Sequence, residues 1–129
     1  MLQILIVDVA ELNRAEMVKK LNERLATLED RDIMYLNFAH DKGAVATVLV
    51  YHTEAARYAL RDKRYEVFEV EAYDTAGIER EVNAILAKLD VAGRFIRYAR
   101  LIDGPKGEVW FAVLSGFYGV SNNTKRRTS

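Results

Sequence analysis

The sequence predicts an α+β fold made by tandem duplication of one β-α-β-β unit, giving a mostly antiparallel sheet with helices on one face. Three observations lead there. Two apolar stripes recur at helical spacing, a strand-like stretch precedes each stripe, and two β-rich stretches around a glycine-bearing turn follow each one.

Residues 2–9 form the first expected strand, with Ile4 and Ile6 on one side and Leu5, Val7 and Val9 on the other. Asn13 then suits a helix N-cap, since its short side-chain oxygen can accept from the free amides of the first turn, and Glu16 completes a capping box. Met17, Val18, Leu21, Leu25 and Leu28 supply the apolar stripe. Residues 33–39 and 45–51, rich in β-formers, flank the turn signal Asp41-Lys42-Gly43 and read as a hairpin.

A shift of 61 residues carries Met17, Leu21, Leu25 and Leu28 onto Ile78, Val82, Leu86 and Leu89, Asn22 onto Asn83, and Asn13 onto Asp74. Residues 65–72 accordingly form the second unit's first strand, and Asp74 caps its helix less well because Gly77 stands where Glu16 stood. The second hairpin, residues 95–102 and 109–114, turns through Asp103-Gly104-Pro105-Lys106-Gly107, and the shift there grows to 64. Between the units, residues 53–64 carry Ala55, Ala56, Tyr58, Ala59 and Leu60 and predict a short linking helix. One domain over residues 1–120 is expected, with repeats at 1–52 and 65–120. The polar tail 121–129, with Lys125, Arg126 and Arg127, is expected to be disordered.

The composition is that of an ordinary folded domain, 129 residues long, with 50% hydrophobic and 29% charged residues. Nineteen basic residues balance nineteen acidic ones, so no overall field draws the chain to nucleic acid or to an anionic membrane. Cysteine is absent, which removes disulfides, thiolate nucleophiles and thiolate metal sites. Residues 1–7 are too short an apolar run, and lack the basic flank, for a signal peptide, and no run reaches membrane-spanning length. The expectation is a cytoplasmic protein.

The last strand of each hairpin is apolar on both faces, as in Val45-Ala46-Thr47-Val48-Leu49-Val50 and Val109-Trp110-Phe111-Ala112-Val113-Leu114. Helices can cover only one face. The other needs a second layer, supplied either by the two units closing on each other or by another subunit, which predicts a homo-oligomer, most simply a dimer.

Catalytic patterns are sparse. His40 and His52 match no zinc spacing, and read as strand-end residues. Glu66, Glu69, Glu71, Asp74, Glu79 and Glu81 read as a solvated acidic face, and Leu114-Ser115-Gly116 lacks the first glycine of a nucleophile elbow. The most suggestive constellation is Arg94, Arg97, Tyr98 and Arg100 on one strand, facing Trp110, Phe117 and Tyr118 on its hairpin partner. Cations beside aromatic rings suit a phosphate with a stacked base. Against that stands a plainer arrangement in which the arginines line a sheet edge and the aromatics fill the core.

The second unit, from Val67-Phe68 through Glu79-Arg80-Glu81-Val82-Asn83-Ala84-Ile85-Leu86 to Ile96-Arg97-Tyr98, resembles a small one-domain sporulation-associated family of spore-forming bacteria and their phages. The first unit looks similar at Leu21-Asn22 and Ile33-Met34-Tyr35. The resemblance implies a phage accessory role but transfers no functional residue, and the doubling and the arginine-rich second hairpin depart from it. The functional expectation is a noncatalytic protein, with no cofactor, that captures a nucleotide-like small molecule at a repeat or subunit interface through Arg94, Arg97, Tyr98, Arg100, Trp110 and Tyr118. The alternative is an interaction module that docks on a host protein.

Overall fold

The computed structural model describes residues 1–41 and 43–120. Local chemistry starts both helices. Asn13 accepts from the Glu16 amide at 2.8 Å while Glu16 reaches back to the Asn13 amide at 3.2 Å, so α1 (Arg14–Ala26) opens on a complete capping box. In α2 (Thr75–Val91) Asp74 accepts from the Gly77 amide at 2.9 Å, with no side chain at Gly77 to return the bond.

The strands are β1 (Leu2–Asp8), β2 (Ile33–His40), β3 (Ala44–His52), β4 (Tyr58–Val70), β5 (Phe95–Asp103) and β6 (Val109–Val120). They form two antiparallel three-stranded sheets, ordered β1-β3-β2 and β4-β6-β5, so each unit places its last strand in the middle. The two sheets share a register. Val50 lies between Ile4 and Tyr35, as Leu114 lies between Tyr65 and Tyr98, and Thr47 lies between Val7 and Phe38, as Phe111 lies between Phe68 and Leu101. Even the irregularity recurs, between Ile33 and Tyr35 in one sheet and between Ile96 and Tyr98 in the other. Gly43 and Gly107, at φ 116° and 81°, close the two hairpin turns in a region that β-carbon-bearing residues avoid.

One expectation is corrected. Residues 53–64 hold no linking helix, because β4 already begins at Tyr58 and runs for 13 residues. Its first part, Tyr58 to Arg61, pairs with Val120 back to Phe117, across a register break at Asp62 and Lys63. Long-range pairing with an extended β6 outweighs the helix preference of the local alanines. The strand expected from residue 65 thus begins at Tyr58. The tail 121–129 and Lys42 lie outside the described residues.

Burial explains how the units stack. One face of the second sheet, with Val70, Phe111 and Val113, packs under α2 through Leu89, Val82 and Leu86. Its other face, with Tyr65, Val67, Trp110 and Leu114, shares a single core with α1 and with Leu36, Phe38 and Leu49 of the first sheet. The layers therefore run α2, second sheet, α1 beside the inner face of the first sheet, and last the outer face of the first sheet. No helix among the described residues is long and apolar enough to cross a membrane.

Candidate functional site

The residues expected to hold a ligand have separate surroundings. Arg94 is buried, donating from Nε to Ser115 Oγ at 2.8 Å, from Nη1 to Asp62 Oδ2 at 3.1 Å and from Nη2 to the Asp62 carbonyl at 2.6 Å. Its guanidinium lies 4.7 Å from the centre of the Phe117 ring. Trp110 is core, and Tyr98, half-buried, donates its hydroxyl to the Ile33 carbonyl at 3.3 Å. Arg97 lies over the Tyr98 ring at 4.8 Å, and Arg100 donates to Asn37 Oδ1. Tyr118 is exposed against Phe95, ring centres 5.1 Å apart. Trp110 and Tyr118 are eight positions apart on β6, about 26 Å at strand spacing. Arg97 with Tyr98 and Arg94 with Phe117 do come together, and Tyr98 packs against the core that holds Trp110, but among the described residues these pairs are not gathered with Tyr118 into one site.

The other polar candidates also have local duties. His40 pairs with Ala44 beside the turn, whereas the far end of β3 holds His52 opposite Leu2, so the histidines stand at opposite ends of the hairpin. Glu81 accepts from the Glu71 and Ala72 amides at 3.0 and 2.9 Å, fixing the approach to α2. Glu69, Glu71 and Glu79 are exposed, as a solvated face requires. Ser115 is buried and engaged by Arg94.

The feature without a duty is the outer face of the first sheet. Ile4 and Ile6 on edge strand β1 are each 59% exposed, Leu2 and Tyr35 are also exposed, and Val48 and Val50 lie between them on the same face. Alternation puts Leu5 and Val7 inward against the core, so β1 has apolar chains on both sides but cover on one. Contiguous exposed apolar surface beyond a few hundred Å² marks an interaction site or an aggregation hazard.

The second sheet shows what such a face looks like when covered. Tyr65, Val67, Ala112 and Leu114 occupy the positions of Ile4, Ile6, Val48 and Val50, and all four are buried by the first unit. Along the seam, Asn22 of α1 holds the Tyr65 backbone through two bonds, and Lys63 Nζ donates to the Leu28 and Glu29 carbonyls at 2.9 Å each, in the turn that follows α1. Burial pulls the Lys63 ammonium down to about 8, with the Glu29 carboxylate working in the opposite direction. Tyr65 is pushed up by burial, its hydroxyl enclosed without a partner among the described residues.

The same comparison exposes the helix side of the second unit. Met17, Leu21 and Leu25 are buried, whereas their counterparts Ile78, Val82 and Leu86 are only half-buried. Phe38 is buried, and its counterpart Leu101 is 49% exposed. The repeated Asn22 and Asn83 were a sequence signal for this seam, though nothing local distinguishes a bonding asparagine from an exposed one. No protein-family model, curated protein or solved structure matches the chain.

Proposed function

We propose that the chain is a noncatalytic interaction protein that binds another protein surface through the outer face of its first sheet. The observation that carries this reading is the row Leu2, Ile4 and Ile6, exposed on edge strand β1, which among the described residues pairs with β3 alone, and on the same face as Tyr35. Covering that row removes apolar area from water, and the free edge of β1 adds backbone groups that a partner can bond. Nucleotide capture has less to draw on, since Arg94 is already saturated by Asp62 and Ser115 and Trp110 is enclosed.

The test compares the wild-type chain with Ile4→Lys/Ile6→Lys by light scattering and by fluorescence of an apolar dye. Association or dye binding that the double substitution abolishes is the expected result. A wild-type chain that is monomeric and dye-silent overturns the reading.

A further inference from the structure

The face that the second sheet buries against the first unit is bare on the first sheet, and of the surface the first unit uses to bury it, the counterparts Leu101, Ala99 and Asn83 are exposed on the second unit and Ile78, Val82 and Leu86 half-buried. We infer that the partner of the bare face is the helix side of a second copy of this chain, docked head to tail as the first unit docks on the second within one chain. This rests on the interaction reading above and names its occupant.

The seam inside one chain is the template for the contact between two. Inside the chain, Phe38 of β2 meets Tyr65 of β4 with ring centres 5.9 Å apart, and Asn22 of α1 bonds the Tyr65 backbone. Register equates Tyr65 with Ile4, Phe38 with Leu101, and the repeat equates Asn22 with Asn83. Carried between molecules, the seam brings exposed Leu101 of one copy onto exposed Ile4 of the next, with exposed Asn83 facing the free edge of β1. Tyr98, whose hydroxyl reaches the Ile33 carbonyl in the cis seam, has Tyr35 as its counterpart, exposed and placed to reach the equivalent carbonyl of Ile96. The helix stripe changes character at one place, Glu79 for Val18, one turn before Asn83.

Continuity with the seam favours this occupant over a face-to-face pairing of two first sheets. A sheet-to-sheet sandwich covers the outer face but leaves Leu101, Ala99 and the half-buried α2 stripe open. Head-to-tail docking covers both surfaces at once, which brings the contact closer to the roughly 800 Å² per partner of a stable interface. Such an interface joins unlike surfaces, so it propagates until a ring closes or a filament grows.

Two variants, each disabling one side, read the geometry: Ile6→Arg on the sheet face and Leu101→Arg on the helix side. Both positions are solvent-exposed, so the folded chain tolerates them. Light scattering should find the wild-type chain as an assembly of at least two copies and each variant alone as a 14.7 kDa monomer. An equimolar mixture of the two should run at twice the monomer mass, because each retains the surface the other lacks. If Ile6→Arg dissociates the assembly and Leu101→Arg does not, head-to-tail docking is overturned while the sheet-face reading stands. If neither variant changes the assembled mass, both fail, and a monomeric wild type that binds apolar dye overturns only the docking. Should a variant lose its native circular dichroism, Ile4→Lys and Ala99→Arg replace them on the same two surfaces.

Discussion

Asn22 and Tyr65 are joined by a pair of hydrogen bonds that imitates a neighbouring strand: Asn22 Nδ2 donates to the Tyr65 carbonyl at 3.0 Å, and Asn22 Oδ1 accepts from the Tyr65 amide at 2.7 Å. A primary amide carries the same donor and acceptor as a peptide group, so a helix side chain closes the edge of β4 where another strand would otherwise add. One residue thereby ends the second sheet and orients α1 along it.

Removing that amide should be felt. Asn22→Ala and Asn22→Asp should each destabilise the fold by about 1–3 kcal/mol, the alanine by leaving both Tyr65 groups unpaired and the aspartate by leaving the carbonyl without a donor. In the Ile6→Arg background, which disables the proposed docking, Asn83→Ala should change stability by less than about 0.5 kcal/mol. Urea unfolding followed by circular dichroism checks all three.

Stability should peak in alkali. Unfolded, Lys63 keeps its proton up to 10.5, but folded it releases it near 8, so between those values the unfolded chain binds more protons and stability rises with pH, by at most about 3 kcal/mol. Tyr65 acts in the opposite sense. Its folded value lies above the ordinary 10.0, so above that pH the unfolded chain loses the proton first and stability falls. Denaturation midpoints from pH 7 to 11 should therefore pass through a maximum near 10, and Lys63→Met should remove the rising limb.

Arg94 should resist conservative replacement. Its three nitrogens serve Ser115 and Asp62 in one planar fork, which a lysine ammonium cannot reproduce. Arg94→Lys should cost about 1–3 kcal/mol by leaving buried Ser115 Oγ short of a partner, read as a lowered thermal midpoint.

Close backbone approach makes Gly116 irreplaceable where Gly119 is not. A methyl at Gly116 would stand 2.5 Å from the Arg61 carbonyl oxygen and 2.6 Å from Leu60 Cγ, whereas at Gly119 the nearest atom is Arg61 Cγ at 3.9 Å. Gly116→Ala should cost about 1–3 kcal/mol by forcing β4 and β6 apart. Gly119→Ala should leave the urea midpoint nearly unmoved.

Much of the fold was legible because its signals are local. The Asn13 and Glu16 capping box, the stripe from Met17 to Leu28 and the glycines at 43 and 107 each act within a few residues, and all appear where the spacing puts them. The stretch 53–64 departs from its local signal because Ala55, Ala56 and Ala59 favour a helix, while the partner strand that draws it into a sheet lies some sixty residues away. The arginine and aromatic pattern was likewise visible, but its meaning was not. Whether Arg94 is free depends on Asp62 and Ser115, 32 and 21 residues distant.

By itself the sequence determined two β-α-β-β units and strands that are apolar on both faces, because alternation writes the chemistry of each face into every strand. Tertiary structure alone decided which of those faces is covered. The first unit lies over Tyr65 and Val67 and leaves Ile4 and Ile6 in water, an outcome set by where one unit docks on the other, through contacts between residues far apart in the chain that no local pattern encodes.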